Sequence, residues 1–233
     1  MFRMAGRRGR HILNPHQVET PQARPIDALL ASYAAGSLNA PLHALVGSHL
    51  ALSLQNRRFV AAMEDLAALD LTDSVQKPLT DRGRMLDAIL SIEEPEPVVV
   101  PAARLADSVF PPPLQRLVGR GSQDIAWRFK LPGIKEYRIA ETEAGEAVLY
   151  WVKAGRRLPQ HTHEGDEVTL LLRGGFTDPL GHYRRGDIAI ADAELDHNPV
   201  ADSDEDCICF AVTDAPLQLT GPVMRLLRKV FRH

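Results

Sequence analysis

The sequence predicts an α + β protein in two domains, a small N-terminal helical domain followed by an antiparallel β-barrel. Two observations lead to this prediction. Between residues 26 and 90 apolar residues recur at helical spacing and β-branched residues are few. From Glu136 onward, short runs rich in Val, Ile and Tyr are separated by turns of Gly and Asp. Short strands joined by tight turns, without intervening helices, are typical of an antiparallel barrel or sandwich.

The helical domain is expected to span residues 26–92 and to contain three helices. The first covers residues 26–33 and ends at Gly36, because glycine takes the left-handed conformation of a helix C′ position without strain. A longer helix is predicted over 41–69 and a third over 80–92. The inner face of the third helix is expected to consist of Met85, Ile89 and Leu90. Three helices make a marginal core, so this half is expected to depend on a partner helix or on the other domain.

The segments around the two domains differ from them in composition. Residues 1–25 are basic and are expected to form a disordered tail. Residues 93–115 are rich in proline, which removes backbone donors, so an extended linker is predicted there, separating the cores of the two domains. The second domain then covers 116–233. Its last part, residues 222–231, is amphipathic and is expected to be a helix packed on the barrel exterior, with a membrane or partner helix as the alternative.

Charge and cysteine content limit the classes of function. A net charge of −3 with 24% charged residues gives no electrostatic basis for direct nucleic-acid binding. Cys207 and Cys209 fall on one face of a predicted strand, where each is expected to be a small core residue. There is no cysteine framework and no apolar run near 18 residues, so a cytoplasmic location without membrane contact is expected.

The barrel half contains a group of residues with metal-ligand spacing. His161 and His163 are two residues apart, so on a strand both imidazoles project to one side. Gly165 and Asp166 are expected to reverse the chain into a hairpin that returns Glu167 beside His163. His197 follows two more predicted strands, a separation that brings it back to the same pocket in a barrel. These four residues, His161, His163, Glu167 and His197, are the predicted metal ligands.

The spacing around these residues resembles the first motif of the cupin superfamily. Gly155, five residues, His161-x-His163, three residues, Glu167, six residues and Gly174 match every fixed position of that motif. The second motif is partly present, with His197 at the right separation from Gly186. The resemblance implies an antiparallel cupin (jelly-roll) β-barrel.

One divalent metal ion is therefore expected in the barrel half. Three imidazoles and one carboxylate suit Zn, Fe(II), Mn or Ni, and Zn is the expected ion, with Fe and Mn as alternatives. Four ligands closing a tetrahedron around zinc indicate a structural or sensory site, whereas open positions around iron or manganese indicate binding of substrate or oxygen. Loss of the metal is expected to leave the helical half folded, because the linker separates the two cores.

The arrangement of a helical half, a linker and a cupin half resembles the ChrR-type anti-sigma factors from about Ile26 onward. Residues 27–36 (DALLASYAAG) are similar to the opening stretch of that family, and residues 48–53 (SHLALS) to the region of its zinc motif, His-x3-Cys-x2-Cys. His49 stands at the histidine position, while Ser53 and Asn56 occupy the cysteine positions, which indicates a degenerate helical zinc site. Taken alone, His49 is expected to be a solvated or capping histidine. Apolar packing through Leu45, Leu52 and Phe59 is expected to replace the metal.

The resemblance implies a function as well as a fold. In this family the helical half sequesters a sigma factor of the extracytoplasmic-function type, and the cupin half holds zinc and governs release under oxidative stress. The sequence thus favours a transcriptional regulator of the anti-sigma type. A cupin metalloenzyme, a dioxygenase or isomerase with a helical interaction domain, is the alternative, because cupins support many chemistries. A third hypothesis is a degenerate homologue with a storage or scaffold role.

Overall fold

The computed structural model describes residues 25–73, 80–92, 107–142, 145–214 and 217–220. The helices are α1 (Pro25–Ala34), α2 (Ala40–Leu52), α3 (Leu54–Asp73), α4 (Arg82–Leu90) and α5 (Pro112–Val118). The strands are β1 (Arg128–Leu131), β2 (Ile134–Thr142), β3 (Gly145–Val152), β4 (His161–His163), β5 (Glu167–Arg173), β6 (Gly175–Asp178), β7 (Gly181–Arg184), β8 (Ile188–Ala191), β9 (Val200–Ala201), β10 (Cys207–Thr213) and β11 (Leu217–Leu219). The predicted basic tail up to residue 24, linker residues 93–106 and the amphipathic segment 222–231 lie outside the described residues.

The first predicted helix is confirmed, whereas the second is two helices. α1 is followed by Gly36, whose φ of +67° is left-handed as expected. α2 and α3 meet at Ser53, where the backbone is extended, with φ −113° and ψ 106°. The Ser53 Oγ lies 3.5 Å from the N–H of Asn56, the position of a helix N-cap acceptor. A serine that caps a new helix competes with continuation of the old one, so the predicted single helix over 41–69 is wrong.

The third predicted helix and the predicted linker also need correction. α4 lies within residues 80–92, but Met85, Ile89 and Leu90, its predicted inner face, are exposed. α5 begins inside the predicted linker, at Pro112. Proline is tolerated in the first turn of a helix, where its missing N–H has no intrahelical partner to lose. Residues 112–115 are therefore helical, and the predicted linker residues 93–106 lie outside the described residues.

The second half is the predicted antiparallel β-barrel. A six-stranded sheet has the order β1-β2-β3-β10-β5-β8, and smaller sheets have the orders β7-β6-β9 and β11-β4. The predicted strand runs 147–153, 167–172, 188–190 and 207–213 correspond to β3, β5, β8 and β10. Each of these four strands pairs antiparallel with its neighbours.

The central strand β10 of the six-stranded sheet is buried on both faces. Along β10, Phe210 points away from the barrel and packs in one core with Leu30 of α1 and Leu45 of α2. Cys207 and Cys209 point to the barrel interior and are buried there as core residues, as predicted. A sheet face that is apolar must be covered, and here the helices cover it. The expectation of two cores separated by a linker is therefore wrong, because the helices share one core with the outer face of the sheet.

Candidate metal centre

The predicted ligands come from two sheets of the barrel. His161 and His163 lie on β4, whose alternation places both imidazoles on one side. His161 and His197 exchange both backbone hydrogen bonds, each 2.9 Å long, which brings His197 opposite His161. β4 pairs with β11 and not with β5, so the predicted hairpin is wrong. Glu167, the first residue of β5, instead reaches His163 across the gap between the sheets.

All four side chains converge, as predicted. One ligand atom from each of His161, His163, Glu167 and His197 lies within 4.8 Å of the other three. The three histidines are buried. The His161 and His197 Nε2 atoms are 3.1 Å apart, and the His163 Nε2 lies 2.9 Å from the Glu167 Oε2. Two nitrogens bound to one tetrahedral zinc ion are about 3.3 Å apart, so the separations in this group are close to those of a shared cation.

Hydrogen bonds at the outer nitrogens determine which ring nitrogens carry lone pairs. The Nδ1–H of His161 donates to the Pro159 carbonyl at 2.8 Å, and the Nδ1–H of His197 donates to the Asp178 carboxylate at 3.3 Å. Because a neutral imidazole has one proton, both Nε2 atoms then carry unshared pairs that face each other. Two lone pairs at 3.1 Å repel unless a metal ion or a shared proton lies between them. Backbone carbonyl and carboxylate acceptors of this kind orient metal-binding histidines.

His163 supports the same interpretation. Both of its ring nitrogens are buried and have no hydrogen-bond partner among the described residues. Its Nε2 is near the Glu167 Oε2, but the geometry of that contact is not that of a hydrogen bond. A buried nitrogen without a partner costs free energy unless something binds it. The residues present therefore fit a divalent metal ion.

The protonation states also suit metal binding. Burial lowers the pKa of His161, although the hydrogen bond to Pro159 and the charge of Glu167 oppose this effect. Burial raises the pKa of Glu167, but the His163 side chain and the nearby His161 and His197 rings outweigh burial and hold the pKa below its usual value. A neutral imidazole and an ionised carboxylate are the forms that bind metals.

A cavity of about 250 Å³ lies beside this group inside the barrel, and its walls are mostly apolar. His161 and Glu167 line one part of it, and Tyr150 another. Burial raises the pKa of Tyr150, so its hydroxyl keeps its proton and can act as a hydrogen-bond donor. The site thus combines a potential metal centre with room for a small apolar molecule.

The helical residues at the family's zinc positions form a different kind of cluster. His49 is buried, so the expectation of a solvated or capping histidine is wrong. Its Nδ1 lies 2.6 Å from the Gly186 carbonyl, and its Nε2 lies 2.7 Å from the Asn56 amide nitrogen. The structure brings His49, Ser53 and Asn56 together through hydrogen bonds. Of the apolar residues expected to replace the metal, Leu45 is buried, Leu52 is half-buried and Phe59 is exposed.

The sequence patterns do not indicate Asp178 and the Pro159 carbonyl, the groups that orient the imidazole rings of His197 and His161. Asp178 lies in a turn sequence, Thr-Asp-Pro-Leu-Gly, where an aspartate is typical of turns and gives no metal signal. The side chain of Asp178 is nevertheless buried, and it accepts from the ring of His197. The Pro159 carbonyl is a backbone group, so the identity of residue 159 does not indicate that this group accepts from His161.

Comparison with known proteins places the chain in a family. The family model described as "ChrR Cupin-like domain" matches residues 117–216. The chain is 35% identical over 206 residues to "Anti-sigma-E factor ChrR" of Cereibacter sphaeroides, an alignment that covers 88% of this chain and 96% of that protein. Among the described residues, no helix is long and apolar enough to span a membrane.

A solved structure is similar over both halves. The match is to a chain in the "Crystal Structure of Rhodobacter sphaeroides SigE in complex with the anti-sigma ChrR", with a TM-score of 0.68 and 33% identity. It covers 81% of this chain and 96% of that chain. With its helical half, its cupin barrel and this extent of identity, the chain belongs to the family of ChrR-type anti-sigma factors.

Proposed function

We propose that this protein is an anti-sigma factor that sequesters a sigma factor of the extracytoplasmic-function type in the cytoplasm. In the similar crystal structure, ChrR is in complex with SigE. We further propose that the cupin half binds one divalent metal ion, with zinc preferred over iron and manganese. Oxidative stress would act on this half and cause release of the sigma factor.

The observation that carries the proposal is the exposure of large apolar side chains on α3 and α4. Leu54 is 70% exposed, Ile89 62% and Leu90 76%, and Leu66 and Leu86 are also exposed. Monomeric proteins rarely leave many large apolar residues uncovered on neighbouring segments, and such surfaces mark interaction sites. A partner protein that covers these helices explains why the apolar face of α4 is left uncovered by the residues that the structure describes.

A groove on the first three helices adds a charge preference. It is lined by Leu50 of α2 and Val60 of α3, and its charged lining residues are Arg57, Arg58 and Glu64, a net positive set. An amphipathic segment that presents apolar residues and a carboxylate suits such a groove, because apolar contacts supply affinity and charge complementarity supplies orientation. We propose that the sigma factor inserts a segment of this type.

The metal ligands would be His161, His163, Glu167 and His197, and the bound ion would tie β4 of one sheet to β5 of another. Glu167 is followed in β5 by Val168, which belongs to the core shared with the helices. A displacement of Glu167 would therefore also shift Val168, which packs in the core shared with the helices. We propose that oxidative stress acts on sigma binding through this connection.

The test is co-expression with the sigma factor encoded nearby, followed by a pulldown. Wild type is expected to retain the sigma factor at micromolar concentration, and Leu86→Asp with Ile89→Asp to weaken retention at least tenfold. Leu180→Asp is the matched control, because Leu180 is an exposed leucine on the cupin surface. No complex at micromolar concentration, with or without metal, would contradict the proposal.

The cavity beside the four candidate ligands favours a second function, that of a cupin metalloenzyme such as a dioxygenase or isomerase. Such an enzyme would place an apolar substrate next to His161 and Glu167. Metal analysis and spectroscopy separate the two functions. Four-coordinate zinc with no exchangeable position favours the regulator, whereas iron with exchangeable water favours the enzyme.

A further inference from the structure

We propose that His49 fastens the α2–α3 elbow (residues 49–56) to the β7–β8 turn (residues 185–187) without a metal ion. The helical half would then be held in position on the barrel by hydrogen bonds at the place where the family resemblance implies zinc. This inference does not depend on sigma binding. Each of the two ring nitrogens of His49 has one hydrogen-bond partner.

The partners of His49 determine the roles of both nitrogens. A carbonyl oxygen only accepts, so the Nδ1–H of His49 donates to the Gly186 carbonyl at 2.6 Å. The neutral ring has no second proton, so its Nε2 accepts from the Asn56 amide nitrogen at 2.7 Å. An amide nitrogen does not ligate zinc, and 2.7 Å is shorter than the roughly 3.3 Å between two nitrogens on one tetrahedral zinc ion. Both ring nitrogens of His49 are therefore occupied by hydrogen bonds, and neither is left to bind a metal ion.

The receiving turn is shaped for this contact. Gly186 has a φ of +92°, a conformation that other residues rarely adopt. A Cβ at this position would lie 3.2 Å from the Cβ of Leu52, so glycine is also what allows the end of α2 to approach. The turn is itself fixed, because the Gly186 N–H donates to the Leu171 carbonyl at 2.8 Å and the Arg185 side chain donates to the Leu172 carbonyl at 2.9 Å. His49 thus connects the elbow to the end of β5.

The environment keeps His49 neutral. Burial lowers the pKa of this histidine, and the hydrogen bond to Gly186 and the charge of Asp187 oppose that effect only in part. A neutral ring is required, because Nε2 must keep its lone pair to accept from Asn56. The opposite side of the elbow carries Leu50, Leu54 and Arg57, which line the open groove on the helices. The contact at His49 therefore orients that groove relative to the barrel.

The first test is metal content of the full chain. Protein grown with zinc and dialysed is compared for wild type, His49→Ala and His161→Ala. His49→Ala is expected to hold the same number of metal equivalents as wild type. A loss of one equivalent in His49→Ala would overturn the inference, because it would make His49 a ligand. If wild type holds no metal, the metal proposal fails while the hydrogen-bond contact is still tested as follows.

The second test is hydrogen exchange and ¹⁵N NMR on the full chain. The wild-type His49 ring is expected to be the neutral Nδ1–H tautomer and to stay so when zinc is added. His49→Ala is expected to speed amide exchange at least tenfold in both residues 49–56 and 185–187. His49→Gln, whose amide has an NH2 group to donate and a carbonyl oxygen to accept, should restore part of the protection. The matched control is His43→Ala, the other α2 histidine, whose ring stacks on Tyr33. Unchanged exchange at 185–187 in His49→Ala, or an Nε2–H tautomer in wild type, would overturn the inference.

Discussion

The buried histidine of the helical half and the buried histidines of the barrel differ in where their ring nitrogens point. Both nitrogens of His49 have a protein partner. In the barrel, His161 and His197 use the outer nitrogen for a hydrogen bond and turn the other toward a common point. Burial alone therefore does not identify a metal-binding histidine. The distinguishing feature is an inward nitrogen that lacks a proton donor.

Loss of the barrel metal is expected to have the largest effect. His161→Ala should leave the protein without stoichiometric metal and lower Tm by roughly 10 °C. A ligand at about 1,000 times its Kd stabilises by about 4 kcal/mol, and each kcal/mol is worth about 2–4 °C in a chain of this size. The measurements are elemental analysis and calorimetry with and without a chelator.

His182→Ala is the matched control for this experiment, because His182 is a partly exposed barrel histidine that contacts Asp202 at 2.9 Å. It should keep the metal and respond to the chelator as wild type does. A wild-type Tm that does not change with chelator would contradict the prediction.

Truncation of the shared core should come next. Leu45→Ala removes a fully buried side chain of α2 and is expected to cost about 3 kcal/mol of unfolding free energy. Because the helices and the sheet share one core, helical circular dichroism and the fluorescence of Trp127 and Trp151, which both pack against that core, should be lost in one transition. Leu66→Ala, an exposed control on α3, should change stability by less than about 0.5 kcal/mol. Two separate transitions in Leu45→Ala would show that the halves unfold independently.

Asn56→Ala tests the helical cluster at smaller scale. It leaves the Nε2 of His49 buried without a donor, which is expected to cost about 1–3 kcal/mol in urea unfolding. Ser53→Ala removes only a 3.5 Å contact to the Asn56 N–H and should cost about 0.5 kcal/mol. Equal effects of the two substitutions would mean that the cap, and not the histidine, holds the elbow.

The smallest expected effect is at Asp107. Burial raises the pKa of its carboxyl, but hydrogen bonds from Ser122, Val109 and Phe110 outweigh burial and lower the pKa below its ordinary 3.8. The carboxylate therefore contributes stability that is complete above about pH 4 and is lost as pH falls through the lowered folded value.

Asp107→Asn in a His161→Ala background, where metal loss cannot contribute, should remove this acid dependence and cost about 1 kcal/mol at neutral pH. Urea unfolding between pH 2.5 and 7 measures it. Parallel pH profiles with and without Asp107 would contradict the assignment.

The predictable parts of the structure are those with a local signal. The strands β5 and β10 follow from their apolar runs, and the convergence of the four candidate ligands follows from their spacing. The break at Ser53 has no proline or glycine to announce it, and α5 begins at prolines that also suit an extended linker. The burial of His49 depends on a turn 137 residues away. Contacts between residues so far apart in the sequence depend on tertiary packing, which local sequence patterns do not predict.

The helix-covered sheet has a consequence for engineering this family. A chimaera could combine the helices of one family member with the barrel of another. Its two halves would then meet through apolar surfaces whose side chains are not complementary. Leu30 and Leu45 would meet a foreign residue in place of Phe210. Exchanging α1, α2, α3 and α5 together with the outward-facing positions of β3, β5 and β10 would transfer the buried residues of this shared core as one set.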